Sequence, residues 1–291
     1  MALYTIQNNI LSVTVNSSGA ELVSVKGFNG KAYLWQGKKE IWPRHAPVLF
    51  PIVGRLRDNK FNHDGLEYVL TQHGFARDKE FALVEQSESS LSFELTDDDA
   101  SFKVYPFHFS LIITYELKNN EIVVHYEVFN PDVKDLYFSI GAHPGFNCKQ
   151  ISGETLNDYF LEFENTNQLI AEKLQDGLLS GNTYPIELQN GCLKLSVELF
   201  NNDALVFKNN QINEVSLVSH KSGTRIHLDC KNWPYFGIWT KKGCDEFVCL
   251  EPWFGITDSC FKYDNLPNKP GILKLKSSEL SELEYSIQIL S

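Results

Sequence analysis

The chain has 291 residues, 43% hydrophobic and 22% charged, with a formal net charge of -11. That balance supplies a core and excludes a mostly disordered chain, while the negative charge repels phosphate backbones and anionic lipids, so neither nucleic acid nor a membrane is an expected partner. Residues 1–7 lack the basic region and apolar core of a secretory signal, and no apolar run is long enough to span a bilayer, so a cytoplasmic location is expected.

Alternation with period two begins at 10–15 and recurs at 91–95 and 109–117, the signature of strands with one buried face. The last of these continues across Lys118-Asn119-Asn120 into 121–128, which reads as a hairpin. Asp97-Asp98-Asp99 reads as a solvated turn. Further strands are expected at 158–164, 193–199, 204–208, 214–220, 224–229, 235–240 and 246–251. A C-terminal strand at 283–289 follows a loop with Pro267 and Pro270 and should pair back into the main sheet. Helical spacing is confined to short stretches at 166–175 and 257–263. Strands without intervening helices exclude a parallel βαβ architecture. The expectation is an all-β fold, a large antiparallel β-sandwich of two sheets, in one domain spanning 1–291.

Six cysteines show no disulfide framework and are expected to be reduced. There is no Cys-x-x-Cys or His-x-x-x-His pair, and Cys244 and Cys249 have no histidine nearby in the sequence, so no metal site is expected.

Four motifs carry candidate chemistry. Phe50-Pro51-Ile52-Val53-Gly54-Arg55 stops an apolar run at an arginine, whose guanidinium offers a fork of donors to a hydroxyl or carboxylate. Gln72-His73-Gly74-Phe75-Ala76-Arg77 sets a histidine beside a glycine, with an arginine four residues on. Ser139-Ile140-Gly141-Ala142-His143-Pro144-Gly145 ends a strand in a histidine whose backbone the following proline restricts. An imidazole fixed there titrates near neutral pH. Glu246-Phe247-Val248-Cys249-Leu250-Glu251-Pro252-Trp253 ends an apolar strand in a carboxylate, and burial makes Glu251 a candidate general base. Trp253 offers either a face for a sugar ring or ordinary core packing.

In this order and spacing, Gly54-Arg55, His73-Gly74, Ala142-His143-Pro144 and Leu250-Glu251-Pro252 resemble the aldose 1-epimerase (galactose mutarotase-like) superfamily. Phe50-Pro51, Tyr105-Pro106-Phe107 and Asn202-Asp203-Ala204-Leu205 are most similar to its LacX-type branch. The resemblance implies a β-supersandwich with a sugar cleft and the interconversion of α and β anomers without a cofactor. It also implies Glu251 as the base at the O1 hydroxyl, His143 as the acid at the ring oxygen, and His73 and Arg55 as sugar-binding groups. Asp203 falls near a sugar-binding acid of the family, and an Asn-Asn-Asp turn explains it equally. The Gln-His-Gly-Phe-Ala-Arg form is similar to that of the branch acting on hexose 6-phosphates. Arg77 or Arg55, with Arg44 or Lys60, is then expected to meet a phosphate, and the partner is a small-molecule sugar or sugar phosphate. A monomer and a homodimer both remain open. His125 and His108 read as structural. The competing readings are a non-catalytic carbohydrate-binding protein and a glycoside hydrolase, the latter needing Asp203 or Asp229 as a second carboxylate.

Overall fold

The computed structural model describes residues 1–164, 166–261 and 265–290. Two large antiparallel sheets dominate it. One has nine strands, in the order Cys192–Lys194, Tyr159–Phe163, Glu214–Ser219, Arg225–Asp229, Leu280–Ile289, Glu121–Phe129, Ser110–Lys118, Ser90–Thr96 and Ala82–Gln86. The C-terminal strand lies in its middle, between Arg225–Asp229 and Glu121–Phe129. The other runs from Ile140–Gly141 through Phe247–Phe254, Tyr235–Trp239, Leu205–Phe207 and Gln168–Gln175 to Leu178–Glu187, with Gly145–Asn147 also on Phe247–Phe254. A smaller N-terminal sheet holds Leu3–Gln7, Leu11–Asn16 and Glu21–Gly27.

The alternating strands form because period two puts one set of side chains on one face. In Ser110–Lys118 every second residue is buried. Leu111, Ile113, Tyr115, Val124, Tyr126 and Val128 of the nine-stranded sheet share one buried cluster with Leu205, Phe207, Phe236, Ile238, Val248 and Leu250 of the other. The sheets therefore pack face to face, as expected of the sandwich.

Four local expectations are corrected. The stretch at 166–175 is a strand, Gln168–Gln175, because Leu169 and Ala171 enter the core and its partner Leu178–Glu187 supplies a hydrogen-bonded ladder that outweighs helix propensity. Asp176-Gly177 makes the hairpin turn, both at positive φ (52° and 76°), the Asp-Gly signal of a tight hairpin. Asp98 caps a short helix, Asp99–Val104, accepting from the Ser101 N–H at 2.6 Å while its own N–H donates to the Ser101 hydroxyl. The strand expected at 193–199 stops at Lys194 and gives way to a 3₁₀ turn, Val197–Phe200. Of 257–263, the described part is a loop, and the rest lies outside the described residues.

Candidate active site

Phe247–Phe254 positions the site. Every residue from Phe247 to Trp253 is buried, but the two faces do different work. Val248 and Leu250 enter the core between the sheets. Cys249, Glu251 and Trp253 point the other way, Cys249 into a cluster with Trp35, Cys244 and Phe247, and Trp253 into one with Leu49, Val53 and Ile256. Glu251 stands between these two apolar clusters, in mid-strand and not at the strand end expected from the sequence.

Ile140–Gly141 and Gly145–Asn147 flank this strand in one continuous register. Gly141 pairs with Trp253 and Gly145 with Cys249, which sets His143 opposite Glu251. Pro144 and Pro252 each lack a donor, so the ladder opens there, while the Ala142 N–H donates to the Pro252 carbonyl and the Leu250 N–H to that of Pro144. The chain thus keeps one register along Phe247–Phe254 on both sides of His143. His143 Nε2 lies 3.1 Å from Glu251 Oε2, with the two residues 9% and 2% exposed.

Room on this face comes from missing side chains. A Cβ on Gly237, the cross-strand partner of Glu251, would lie 2.4 Å from the Trp253 ring, and one on Gly141 would lie 2.6 Å from it. The glycines let the indole lie flat against the sheet, beside a cleft of about 540 Å³ that both members of the His143–Glu251 pair line.

His73 reaches the cleft from the loop before Gly74. That glycine is at positive φ (70°), and a Cβ there would meet the Phe50 carbonyl oxygen at 2.2 Å, so the motif needs glycine on both counts. The Gly54 N–H donates to His73 Nδ1 at 3.2 Å. His73 Nε2 therefore carries the ring proton. It stands 3.1 Å from Gln72 Nε2, at the wall of the cleft that both residues line. The His73 and His143 rings meet edge to face at 5.7 Å.

Arg55 lies over the Asp176-Gly177 hairpin turn, donating to the Asp176 carbonyl at 3.2 Å. Thr257 ties these parts together, accepting from the Arg55 N–H at 3.1 Å and donating to the Gly177 carbonyl at 2.7 Å. Arg77 donates to the Gln72 carbonyl at 2.7 Å, and its Nε is buried without a hydrogen bond. Arg44 pairs with Asp78 at 2.7 Å. Asp203 lines the cleft on a turn at φ 91°, its carboxylate accepting from the Ala204 N–H.

The cleft thus gathers Arg55, His73, Arg77, His143, Asp203, Glu251 and Trp253, with Arg44. Lys60 lies elsewhere, paired with Glu67, and Asp229 belongs to the nine-stranded sheet. His125 sits on that sheet between Glu284 and Glu116, and His108 contacts Asp97, both outside the cleft. Sequence reasoning missed Trp42 and Trp239, which pack on the His143 ring at 5.1 and 5.7 Å between centroids and line the cleft. For Trp239 the signal was legible: Phe236 and Ile238 take the core, so period two turns Tyr235, Gly237 and Trp239 to the opposite face.

Burial sets the proton inventory. It pushes the Glu251 carboxyl well above its ordinary 4.5, an effect the nearby Trp253 indole opposes without forming a hydrogen bond of standard geometry, and to which Asp203 adds. Burial also drives His143 down, opposed by its own backbone and reinforced by Arg77 and Arg44. His73 falls for the same leading reason, with His143, Arg77 and Arg44 adding to it. Burial therefore favours the neutral form of all three groups, the acid of Glu251 and the free imidazoles of His73 and His143.

A signed pH dependence follows. Below 6.5 the unfolded chain protonates both histidines while the folded one does not, so stability falls as pH drops. Above 4.5 the unfolded chain ionises Glu251 while the folded one keeps its proton, so that group's contribution falls as pH rises. The two effects oppose each other, the histidines favouring the fold as pH rises and Glu251 favouring it as pH falls. Glu251→Gln is expected to remove the Glu251 contribution and so to steepen the fall in stability toward acid pH, as read from urea unfolding across pH.

The molecule is an antiparallel β-sandwich with a histidine–carboxylate pair on the floor of an arginine-lined cleft. The aldose 1-epimerase family model matches residues 2–286, and the chain belongs to that family. It is 32% identical to the plasmid-encoded protein LacX of Lactococcus lactis subsp. lactis, over 98% of this chain and 99% of that one. Among solved structures, a galactose mutarotase related enzyme from Lactobacillus acidophilus has 35% identity and a TM-score of 0.95, covering 100% of this chain and 98% of that one. A galactose mutarotase-like protein from Lactobacillus casei has 28% identity and a TM-score of 0.92, covering 99% of this chain and 100% of that one.

Proposed function

We propose that the chain acts as a single mutarotase domain that interconverts the α and β anomers of a hexose or hexose phosphate in the cytoplasm, without a cofactor. The observation that carries this reading is the 3.1 Å contact between His143 and Glu251 at the cleft floor. Anomerisation needs a proton removed from O1 and one delivered to O5, and both oxygens are bonded to the same carbon, so the two catalytic groups must be neighbours. A glycosidase instead separates its two carboxyl groups by about 5–9.5 Å.

Moving the Glu251 proton to His143 converts the resting pair into a carboxylate and an imidazolium with no proton gained from solvent. In that form Glu251 takes the O1 proton as His143 protonates O5, and the ring opens. The pair is then back in its starting allotment, Glu251 protonated and His143 neutral, and re-closure on the other carbonyl face reverses both transfers. His73 Nε2–H and Arg55 hold the sugar in line, Asp203 accepts from a hydroxyl, and Trp253, with Trp42 and Trp239, supplies apolar faces.

Three of the five arginines in the sequence, Arg44, Arg55 and Arg77, line this cleft in a chain of net charge -11, and among the described residues no lysine does. Guanidiniums suit planar, bidentate recognition of an anion, which favours the phosphorylated sugar. An NMR exchange screen over glucose, galactose, their 6-phosphates and tagatose 6-phosphate tests both parts. Accelerated exchange of a phosphorylated hexose is expected, with Arg77→Met raising its KM about tenfold or more through the loss of a charge-assisted contact. Saturable binding with no acceleration on any sugar would support the carbohydrate-binding reading instead.

A further inference from the structure

Cys249 has no histidine near it in the linear sequence, but the strand pairing supplies one. It is two residues from Glu251 on the same face and pairs with Gly145, two residues from His143. The thiol, one imidazole nitrogen of His143 and a Glu251 oxygen all lie within 4.8 Å of one another, and among the described residues no other three His, Cys, Asp or Glu side chains are grouped in this way. We infer that His143, Cys249 and Glu251 form a three-ligand site for a thiophilic divalent cation, zinc foremost, which on binding locks the pair.

Four features carry this. A Cys, His and carboxylate set suits zinc, and the thiol selects against magnesium and calcium. The His143 and Glu251 atoms are already 3.1 Å apart, and the thiol is within 4.8 Å of its two partners. His143 and Glu251 line the cleft while Cys249 is fully buried behind them, which leaves a fourth coordination position open on the cleft side for water or a sugar hydroxyl. His143 Nδ1 is buried without a hydrogen-bond partner, so no second protein group fixes which ring nitrogen is free to ligate. Arg44 and Arg77 oppose a bare cation, but a thiolate, a carboxylate and a neutral imidazole make the divalent complex neutral overall. Its formation is balanced: the Cys249 thiol and the Glu251 carboxyl each release one proton as their metal bonds form.

Blocking of catalysis by the ion rests on the function proposed above, whereas the site itself does not, and the experiment separates them. Cobalt(II) titrated into the full chain should give, at one equivalent, a thiolate-to-metal charge-transfer band and the intense visible bands of tetrahedral coordination. Cys249→Ser should lose the charge-transfer band. Loss of even an outer partner of a ligand costs metal affinity about 10- to 100-fold, so zinc should weaken in this variant by at least that. His143→Asn should retain the charge-transfer band but lose the tetrahedral intensity, and calorimetry of the wild type in two buffers should count two protons released per zinc. Zinc should also stop the anomeric exchange of the wild type and spare that of Cys249→Ser. No charge-transfer band in the folded wild type, or an unchanged band in Cys249→Ser, would overturn the site. A cobalt site in a protein without anomerase activity would retain it and reject the function.

Discussion

Glu251→Gln and His143→Asn each lower the rate of anomeric exchange by about 10²- to 10⁴-fold, and the double variant is no slower than the worse single one. The lack of additivity is the sharper part. Each group acts by passing a proton that the other has supplied or will take back across 3.1 Å, so removing either idles its partner. Neither substitution should unfold the chain. Burial pushes the Glu251 carboxyl toward its neutral acid form, which an amide of the same shape mimics. Far-ultraviolet circular dichroism and urea midpoints close to wild type, beside polarimetric or NMR exchange rates, make the separation. Wild-type exchange rates in both single variants would refute the assignment of the pair.

Gly237→Val destabilises the protein by about 1–3 kcal/mol and blocks the cleft, with Gly237→Ala between it and wild type. The added carbon would lie 2.4 Å from the Trp253 ring, which Gly141 already confines from the neighbouring strand at 2.6 Å. The indole cannot retreat, since Leu49, Val53 and Ile256 pack around it, so it must move toward Glu251 or the sheet must spread. Sugar binding and stability should therefore fall together. A lower urea midpoint with an unchanged m value is the expected signature. Trp253→Leu in the Gly237→Ala background should recover part of the stability, a coupling that a double-mutant cycle measures. If the two substitutions add independently, the clash is not the cause.

Much of the fold was legible because strand patterning is local. The stretches 109–117 and 121–128 announce their buried faces in their own alternation, and the structure pairs them residue by residue from Ser110–Phe129 to Lys118–Glu121. The failure at 166–175 has the opposite origin. Its apolar spacing fits either period, and only the ladder with Leu178–Glu187 resolves it, although Asp176-Gly177 was a readable turn signal. The motifs at Arg55, His73, His143 and Glu251 were visible as short unusual strings, and all four side chains line one cleft. Trp42 was not, because an aromatic in a loop carries no sign of which surface it will cover.

By itself the sequence determined the all-β class, the strand faces and the identity of the polar groups set into apolar runs, since each follows from backbone geometry over a few residues. Only the tertiary structure decided that His143 stands opposite Glu251, that burial shifts both toward their neutral forms, that three arginines line the same cleft and that Cys249 lies behind the pair. Those facts depend on register between segments about a hundred residues apart and on burial summed over many side chains. The charge state of a carboxyl is set by what excludes water from it, and no local pattern contains that.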